Sequence, residues 1–412
     1  MRIPALPIIF LFVVSILIDL YICLDVKQIW RKKGALVYWI TSGLCYALLV
    51  VAISLPRRDA GSGLSAVMWL LFTYLSIYVA KFIYLICSVI GRFFRITTGF
   101  KGRFFVSRWI GMLMGLSFMA VMWSGVGYTR HHIVVEEENI YSKKLPESFN
   151  DYRIVQISDL HVGTWGDDTS FIKSLVDTIN SLNPDLIVFT GDLVNREGHE
   201  LTPFAETLSG LHAKDGVYSI LGNHDYGDYV DWESPSAKER NLLQLKDNQR
   251  KMGWRMLNNE SVFLHKGNDS ILLIGVENWG EPPFPQYGDL NRALPKDKTA
   301  ARHQNDGSYK ILLSHNPEHW NQEVSKKTNI DLTLSGHTHA MQSMIKIGDW
   351  KWSPAKYRYD QWGGRYDREN EKGDNTTLYV NIGAGAVGMP ARLLGAYPEV
   401  TLITLKSSDS KD

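Results

Sequence analysis

The stretch 153-RIVQISDLHVG-163 decides how the rest of the chain is read. Ile154, Val155 and Ile157 form a short apolar run that stops at Ser158 and gives way to the polar cluster Asp159-Leu160-His161. A brief apolar run bounded by polar and glycine residues predicts a buried strand. Taken alone, Asp-x-His after a strand is a weak signal. The same grammar recurs downstream, however. Apolar runs at 186–190, 217–221, 311–314 and 332–335 lead into Gly191-Asp192, Gly222-Asn223-His224-Asp225, Ser314-His315 and Gly336-His337-Thr338-His339. A further strand is predicted at 271–276. Helices are predicted at 169–182, 203–211 and 236–252, the first from the spacing of Phe171, Leu175 and Ile179.

Strands alternating with helices argue for an α/β domain over residues 151–412, preceded by a linker or short strand at 131–150. The strands at 377–382 and 400–405 have no helix between them, so the sheet there is expected to be mixed or antiparallel. Residues 348–375, rich in Trp, Tyr, Lys and Asp, read as a long loop, and loops of that length are often functional.

Ligands of α/β sheets bind past the carboxyl ends of the strands. If the strands share a sheet, the five clusters converge on one edge. They bring Asp159, His161, Asp192, Asn223, His315, His337 and His339 together, with His224 and Asp225 beside them. Two carboxylates, one amide and four imidazoles suit Mn2+, Fe2+, Zn2+ or Co2+ better than an all-oxygen site for Mg2+ or Ca2+ would. Seven ligands are too many for one ion and about right for two sharing a carboxylate. Such a pair clamps the attacking and leaving oxygens of a phosphoester. The remaining histidines, His199, His212, His265, His303 and His319, have no comparable setting. His131 and His132 are adjacent in an extended segment and point apart, which predicts surface placement.

This ordered set resembles the calcineurin-like metallophosphoesterase superfamily over about residues 150–405. The opening stretch and the closing LYVNIGAGAVGMPARLL with YPEVTLITL resemble its bacterial membrane-attached branch, which includes UDP-diacylglucosamine hydrolase-like phosphodiesterases. The resemblance implies mixed β-sheets sandwiched by helices. It also implies one divalent metal on Asp159, His161 and His339, a second on Asn223, His315 and His337, and Asp192 bridging them. A bridging water or hydroxide would attack phosphorus in line. His224 would protonate or stabilise the leaving oxygen, with Asp225 orienting its ring. Many members carry a second carboxylate where this chain has Asn195, so the hydrogen bonding there is neutral. Arg196 is placed either on the substrate phosphate or in a surface salt bridge with Glu197 or Glu200.

The first third of the chain is of a different kind. The 412 residues carry a net charge of +1, but residues 1–130 carry +11 and residues 131–412 carry −10. Four apolar runs, at 3–24, 35–55, 64–90 and 109–128, are near or above the length that crosses a bilayer as a helix. A transmembrane domain of four spans is predicted for 1–130, and a subset of the branch named above shares this front end. A cleaved signal peptide would explain only the first run. Basic loops stay in the cytoplasm. Lys27, Arg31, Lys32 and Lys33 mark the first loop, and Arg92, Arg95, Lys101, Arg103 and Arg108 the third. Arg57 and Arg58 alone mark the second, and Arg2 the N-terminal tail. The catalytic domain is therefore expected outside the cytoplasm of a cell (inner) membrane. A cysteine introduced near Ser142 should react with an impermeant reagent in whole cells; shielding until lysis would reverse this topology. Asp19 and Lys81 interrupt the spans; either they form a buried pair that marks a functional or packing contact, or, as the preferred reading, Asp19 reaches the interface and Lys81 snorkels.

Composition excludes several classes. The apolar and aromatic content excludes disorder. Three cysteines, Cys23, Cys45 and Cys87, exclude a disulfide scaffold. A domain at −10 is unsuited to nucleic acid. A lipid membrane and a phosphoester substrate, of a phospholipid or lipid-linked sugar phosphate, are the expected partners, with Trp350, Trp352, Tyr357, Tyr359 and Trp362 either resting at the interface or packing as a lid. The alternatives are an anchored phosphatase for soluble esters and a membrane sensor or scaffold that binds without turnover.

Overall fold

The computed structural model describes residues 5–56, 58–99, 101–295, 308–370, 373 and 375–407. Arg2, Ile3, Arg57 and His303 lie outside them. The chain divides into two compact units: Met1–Arg57 with Ser62–Gly127 and Gly388–Ala391, and Arg58–Gly61 with Tyr128–Val387 and Arg392–Asp412.

The first unit is built from three helical segments, α1 (Ala5–Ser54), α2 (Ser65–Thr98) and α3 (Lys101–Gly127). They contain four stretches long and apolar enough to cross a membrane, beginning at Pro7, Lys32, Ser65 and Phe105. The first two predicted spans share the single helical segment α1. It cannot be straight. Tyr38 and Tyr46 both donate to the Asp19 carboxylate at 2.5 Å. At 1.5 Å rise per residue, Asp19 and Tyr46 would otherwise stand about 40 Å apart. The chain therefore folds back between the two spans.

The snorkelling reading of Asp19 and Lys81 is corrected, and the buried pair holds. Asp19 is fully buried and accepts from Lys81 Nζ at 2.8 Å, and from Tyr78 as well as Tyr38 and Tyr46. Asp25, also fully buried, accepts from Arg92 at 2.8 Å and from Ser88 at 2.9 Å, with Arg108 Nε 3.7 Å away. A carboxylate in hydrocarbon is tolerated when paired and fully hydrogen-bonded, and that outweighs snorkelling here.

The second unit contains fifteen strands among the described residues: β1 (Val134–Tyr141), β2 (Tyr152–Ile157), β3 (Leu186–Phe189), β4 (Val217–Ser219), β5 (Arg255–Met256), β6 (Glu260–Lys266), β7 (Asp269–Gly275), β8 (Lys310–Leu313), β9 (Leu332–Ser335), β10 (Ser343–Ile347), β11 (Trp350–Trp352), β12 (Gly364–Glu369), β13 (Asn375–Val380), β14 (Leu393–Leu394) and β15 (Glu399–Lys406). They form two six-stranded sheets, β1-β15-β2-β3-β4-β5 and β12-β13-β9-β8-β7-β6, and a small sheet β11-β10-β14. Each large sheet is mixed. β2 to β5 run parallel beside β15, which is antiparallel to β2. β13, β9, β8 and β7 run parallel between antiparallel β12 and β6.

Side chains alternate across a strand, and this sorts the core into layers. Ile154, Leu186 and Val188 face Ile311, Leu313, Leu332 and Leu334 in the cluster between the sheets. Their neighbours Val155, Ile187 and Phe189 face Phe171, Leu175 and Ile179 of α4 (Ser170–Ser181). On the far side Leu272, Ile274, Leu312 and Val380 pack on Trp320 and Val324. The result is a pair of sheets covered outside by helices.

Three sequence expectations shift, while the short strand within 131–150 holds. The strand ends do not lie on one sheet; β2, β3 and β4 belong to one, and β8 and β9 to the other. Residues 131–150 contribute β1, paired parallel with β15 from Val134↔Glu399 to Tyr141↔Lys406. Residues 348–375 are not a featureless loop, because β11 and β12 fall within them. The helix predicted at 203–211 is only the turn Ala205–Leu208, whereas that at 236–252 is present as Pro235–Lys251, N-capped by Ser234.

Candidate metal centre

The carboxyl ends of β2, β3, β8 and β9, and the loop after β4, meet at one place between the sheets. Each of these segments turns sharply as it leaves its strand. Asp159, His161, Asp192, His337 and His339 all adopt left-handed backbone, with φ of 53°, 42°, 60°, 75° and 52°. Such conformations cost of order 1–3 kcal/mol each in non-glycine residues and persist where the surroundings over-determine them. Glycines allow the close approach. A Cβ on Gly222 would collide with the Asp192 carboxylate, and one on Gly336 with Asp159.

The ligand-type side chains gather into two groups that could each hold a metal ion, the buried Asp159, His161 and His339, and the buried Asp192 and His315 with the half-buried His337. In the first, His339 Nε2 lies 3.1 Å from both Asp159 Oδ1 and His161 Nε2. In the second, His315 Nε2 lies 3.2 Å from Asn223 Oδ1 and 3.2 Å from His337 Nδ1. Asp192 Oδ2 stands between the groups, 3.6 Å from His161 Nε2 and 3.2 Å from His315 Nε2. Its other oxygen accepts from the His224 N–H at 2.8 Å.

This donor set fits divalent cations. Imidazole nitrogens that face one another and a carboxylate oxygen at 3.1–3.6 Å repel unless a proton or a cation sits among them. The electrostatics agree. Burial pushes the Asp159 and Asp192 carboxyls up, but His339 and His315 outweigh it for Asp159, and His315, His224 and His161 for Asp192. Both carboxyls are held below the ordinary carboxylate range. Burial, then the charge of His315, pushes the His337 imidazole down to about 3; burial, then His224, pushes His161 well down. Burial lowers His315 too, but Asp192 and Asp159 outweigh it and raise His315 to about 9. Four ligand groups, Asp159, Asp192, His161 and His337, are thus ready in ligand form, while His315 holds the proton that an ion would replace. Mn2+ affinity is therefore expected to rise about tenfold per pH unit from about pH 6.5 to 8.5, with a proton released on binding. Calorimetry in buffers of different ionisation enthalpy reads both; a pH-independent affinity would contradict it.

Several neighbours orient these side chains. His315 Nδ1 bonds the Thr190 carbonyl at 2.8 Å, and Tyr359 OH lies 3.3 Å from His337 Nε2. Asn223 donates Nδ2 to Tyr229 OH at 2.8 Å, which leaves Oδ1 for the site. Tyr229 went unread in the sequence; its only signal is an aromatic residue with a polar tip six residues past Asn223.

Two expected roles are corrected. Asp225 does not orient His224. Its carboxylate is fully buried and accepts the backbone N–H groups of Asp192, Leu193, Val194 and Gly222 at 2.9–3.2 Å, so it fixes the turn that carries Asp192. Burial and the charge of Asp192 raise it to about 7. His224 Nδ1 instead bonds the Asn195 carbonyl at 2.6 Å. Arg196 is 3% exposed and donates to Glu197 at 3.0 Å, so it forms the salt bridge, buried rather than on the surface. Asn195 itself donates Nδ2 to Thr164 at 2.8 Å. His131 and His132 are exposed, as expected.

Residues 152–341 match the family described as calcineurin-like phosphoesterase, and residues 2–129 one described as a probable calcineurin-like phosphoesterase transmembrane domain. The uncharacterized metallophosphoesterase YkuE of Bacillus subtilis is 30% identical over 295 residues, 69% of this chain and 91% of that protein. A transmembrane protein with metallophosphoesterase domain from Danio rerio is 32% identical over 287 residues, 66% of this chain and 57% of that relative, so the chain spans little more than half its length. The UDP-2,3-diacylglucosamine pyrophosphatase LpxG of Chlamydia trachomatis is 31% identical over 244 residues, 48% of this chain and 67% of that protein.

Proposed function

The chain belongs to the calcineurin-like metallophosphoesterase family, and on that premise we propose that it hydrolyses a phosphoester of a membrane lipid or lipid-linked compound with two divalent metal ions. The observation that carries the chemistry is the position of Asp192 Oδ2 within 3.6 Å of both ligand groups. Asp159, His161 and His339 would hold one ion; Asn223, His315 and His337 the other; Asp192 would bridge them. Mn2+, Fe2+ and Zn2+ are the ions that suit this mixture of imidazole, carboxylate and amide. When bound, such a pair supplies an activated water and neutralises charge developing on the phosphoryl oxygens.

The protein's own contribution is positional. Asp192, tied to the His224 N–H, keeps one oxygen aimed between the two groups. His224 gives Nδ1 to the Asn195 carbonyl, so Nε2 is the nitrogen that can carry the proton for the leaving oxygen. Asp159, His161, Asp192, His315 and His339 are buried, and Asn223 and His337 are half-buried, so the site opens on the side of those two ligands.

The lipid substrate rests on the apolar spans, on the exposed aromatic side chains and on the name of the Chlamydia relative, whose diacylglucosamine substrate is a lipid. Trp350 is 56% and Tyr357 77% exposed, whereas Trp362 is buried. The aromatics therefore divide: Trp362 packs inward, and Trp350 and Tyr357 remain available to a membrane interface. Trp362 packs in a small core with Ala340, Met344 and Ile382. Trp350 and Tyr357, with the exposed Ile347 that pairs with Trp350, form the surface suited to a membrane interface. Replacing Trp350 and Tyr357 by alanine is expected to lower turnover of a vesicle-borne phospholipid about tenfold while leaving a soluble aryl ester nearly unchanged. Equal loss on both would favour the soluble-substrate phosphatase. From the charge distribution of the loops we infer that the catalytic domain lies outside the cytoplasm, which the cysteine labelling near Ser142 tests.

A further inference from the structure

The catalytic unit includes one short segment from elsewhere in the chain, Arg58–Gly61, which lies between the second and third apolar stretches. This tetrapeptide is tied at both ends. Arg58 donates Nε and Nη2 to the two carboxylate oxygens of Asp231, at 2.7 and 2.5 Å. The Asp231 N–H donates to the Arg58 carbonyl at 2.7 Å, and Asp59 forms a parallel β-bridge with Asp231. At the other end the Gly61 N–H donates to both oxygens of Glu197 at 3.0 Å. Gly61 has a φ of +75°, which suits glycine and directs its N–H.

The two anchors sit on the two loops that carry His224 and its partner. Glu197 is 4% exposed and closes a capping box with Glu200, whose side chain accepts the Asn195 N–H at 2.6 Å. Asn195 is the residue whose carbonyl holds His224 Nδ1. Asp231 ends the loop that begins at Asn223 and His224 and is closed by Tyr229 and by Trp232, whose Nε1 donates to the Gly227 carbonyl at 2.7 Å. The His224–Asn195 bond therefore crosses between two loops, and Arg58–Gly61 spans the same pair.

We propose that Arg58–Gly61 is a strap that sets the separation of these two loops and so aligns His224 on the Asn195 carbonyl, with Arg58 and Gly61 as positioning residues. The catalytic unit is then incomplete without the loop joining the second and third apolar stretches, and turnover depends on a segment that contributes no ligand and no proton. The inference rests on the phosphoesterase reading only for one of its two readouts.

The Arg58 and Asp231 side chains are 31% and 59% exposed, and an ion pair so exposed contributes little to folding. Charge reversal can therefore move the loops without unfolding the domain. The test uses the full-length protein in detergent with three variants, Arg58→Glu, Asp231→Arg and the two combined. Each single variant is expected to lower kcat on an alkyl phosphoester about tenfold, the scale of a small misalignment, with KM, Tm and Mn2+ affinity unchanged. The double variant, which restores opposite charges, should recover activity to within about twofold. Hydrogen exchange provides the second readout, independent of turnover. The Gly61 and Asp231 amides should be protected in the wild-type protein, exposed in each single variant and protected again in the double. Unchanged kcat in the single variants, no recovery in the double, or fast exchange at Gly61 and Asp231 in the wild type would each overturn the strap. A wild-type protein without turnover would count against the phosphoesterase reading, and the exchange pattern would still decide the strap.

Discussion

Asp192→Asn is expected to remove essentially all phosphoester hydrolysis, by about 10³-fold or more, while leaving the domain folded. The two halves of this expectation have separate causes. Asparagine keeps the shape of the side chain and can still accept the His224 N–H through its oxygen, the bond that Asp192 Oδ1 makes at 2.8 Å. The backbone turn is secured from beneath by Asp225, so Tm should change little. What asparagine loses is the charge that Oδ2 presents to His161 and His315. A two-metal clamp supplies several kcal/mol of transition-state stabilisation, and each 1.36 kcal/mol is about tenfold in rate. Removal of the bridging charge should therefore also lower the bound metal from two ions towards one. A variant that keeps wild-type kcat, or that loses activity only because it unfolds, would contradict the role given to Asp192.

His224→Ala is expected to have an effect that depends on the leaving group. General acid help is worth about 10²–10⁴-fold when the departing oxygen needs a proton. An alkyl ester, whose leaving alkoxide is strongly basic, should lose about 10³-fold in kcat. An aryl ester, whose phenolate departs without help, should lose less than about tenfold. Asp225→Asn gives the counterpart: its carboxylate makes no bond to His224, so its replacement should disturb stability and metal binding through the Asp192 turn, without leaving-group dependence. Equal losses on both esters for His224→Ala would assign His224 to structure or binding.

The parts of this site that could be read from sequence are those written in residue type. Asp159, His161, Asp192, Asn223, His315, His337 and His339 each follow a short apolar run, and polar ligand-type residues at strand ends are conspicuous against packing. What residue type does not encode is the partner. The group that holds His224 is the carbonyl of Asn195, and any residue has a carbonyl; Asp225, the obvious carboxylate next door, is occupied by four backbone N–H groups instead. The left-handed backbone of Asp159, His161, Asp192, His337 and His339 is equally silent, because no glycine marks those positions. The division into two sheets was hidden for a related reason. β3 (LIVF) and β8 (KILL) read alike apart from Lys310, and only their long-range pairing assigns one to each sheet.

In the apolar third, hydropathy revealed the spans and the exceptions within them, but could not decide between a buried Asp19–Lys81 pair and separate snorkelling. That contact depends on the fold-back within Ala5–Ser54 and on helix rotation, neither of which a hydropathy pattern fixes. The aromatic stretch at 350–362 divides by exposure, with Trp350 and Tyr357 outside and Trp362 inside, a distinction that composition averages away.

The central claim is that two ions, shared through Asp192, make one catalytic unit. The most direct test is to titrate metal-free full-length protein with Mn2+ while following hydrolysis of a soluble aryl phosphoester and the amount of metal bound. Turnover that stays low through the first equivalent and rises with the second, reaching its limit at two ions per chain, is the predicted result. Full turnover at one equivalent, or turnover that persists in the metal-free protein, would contradict it.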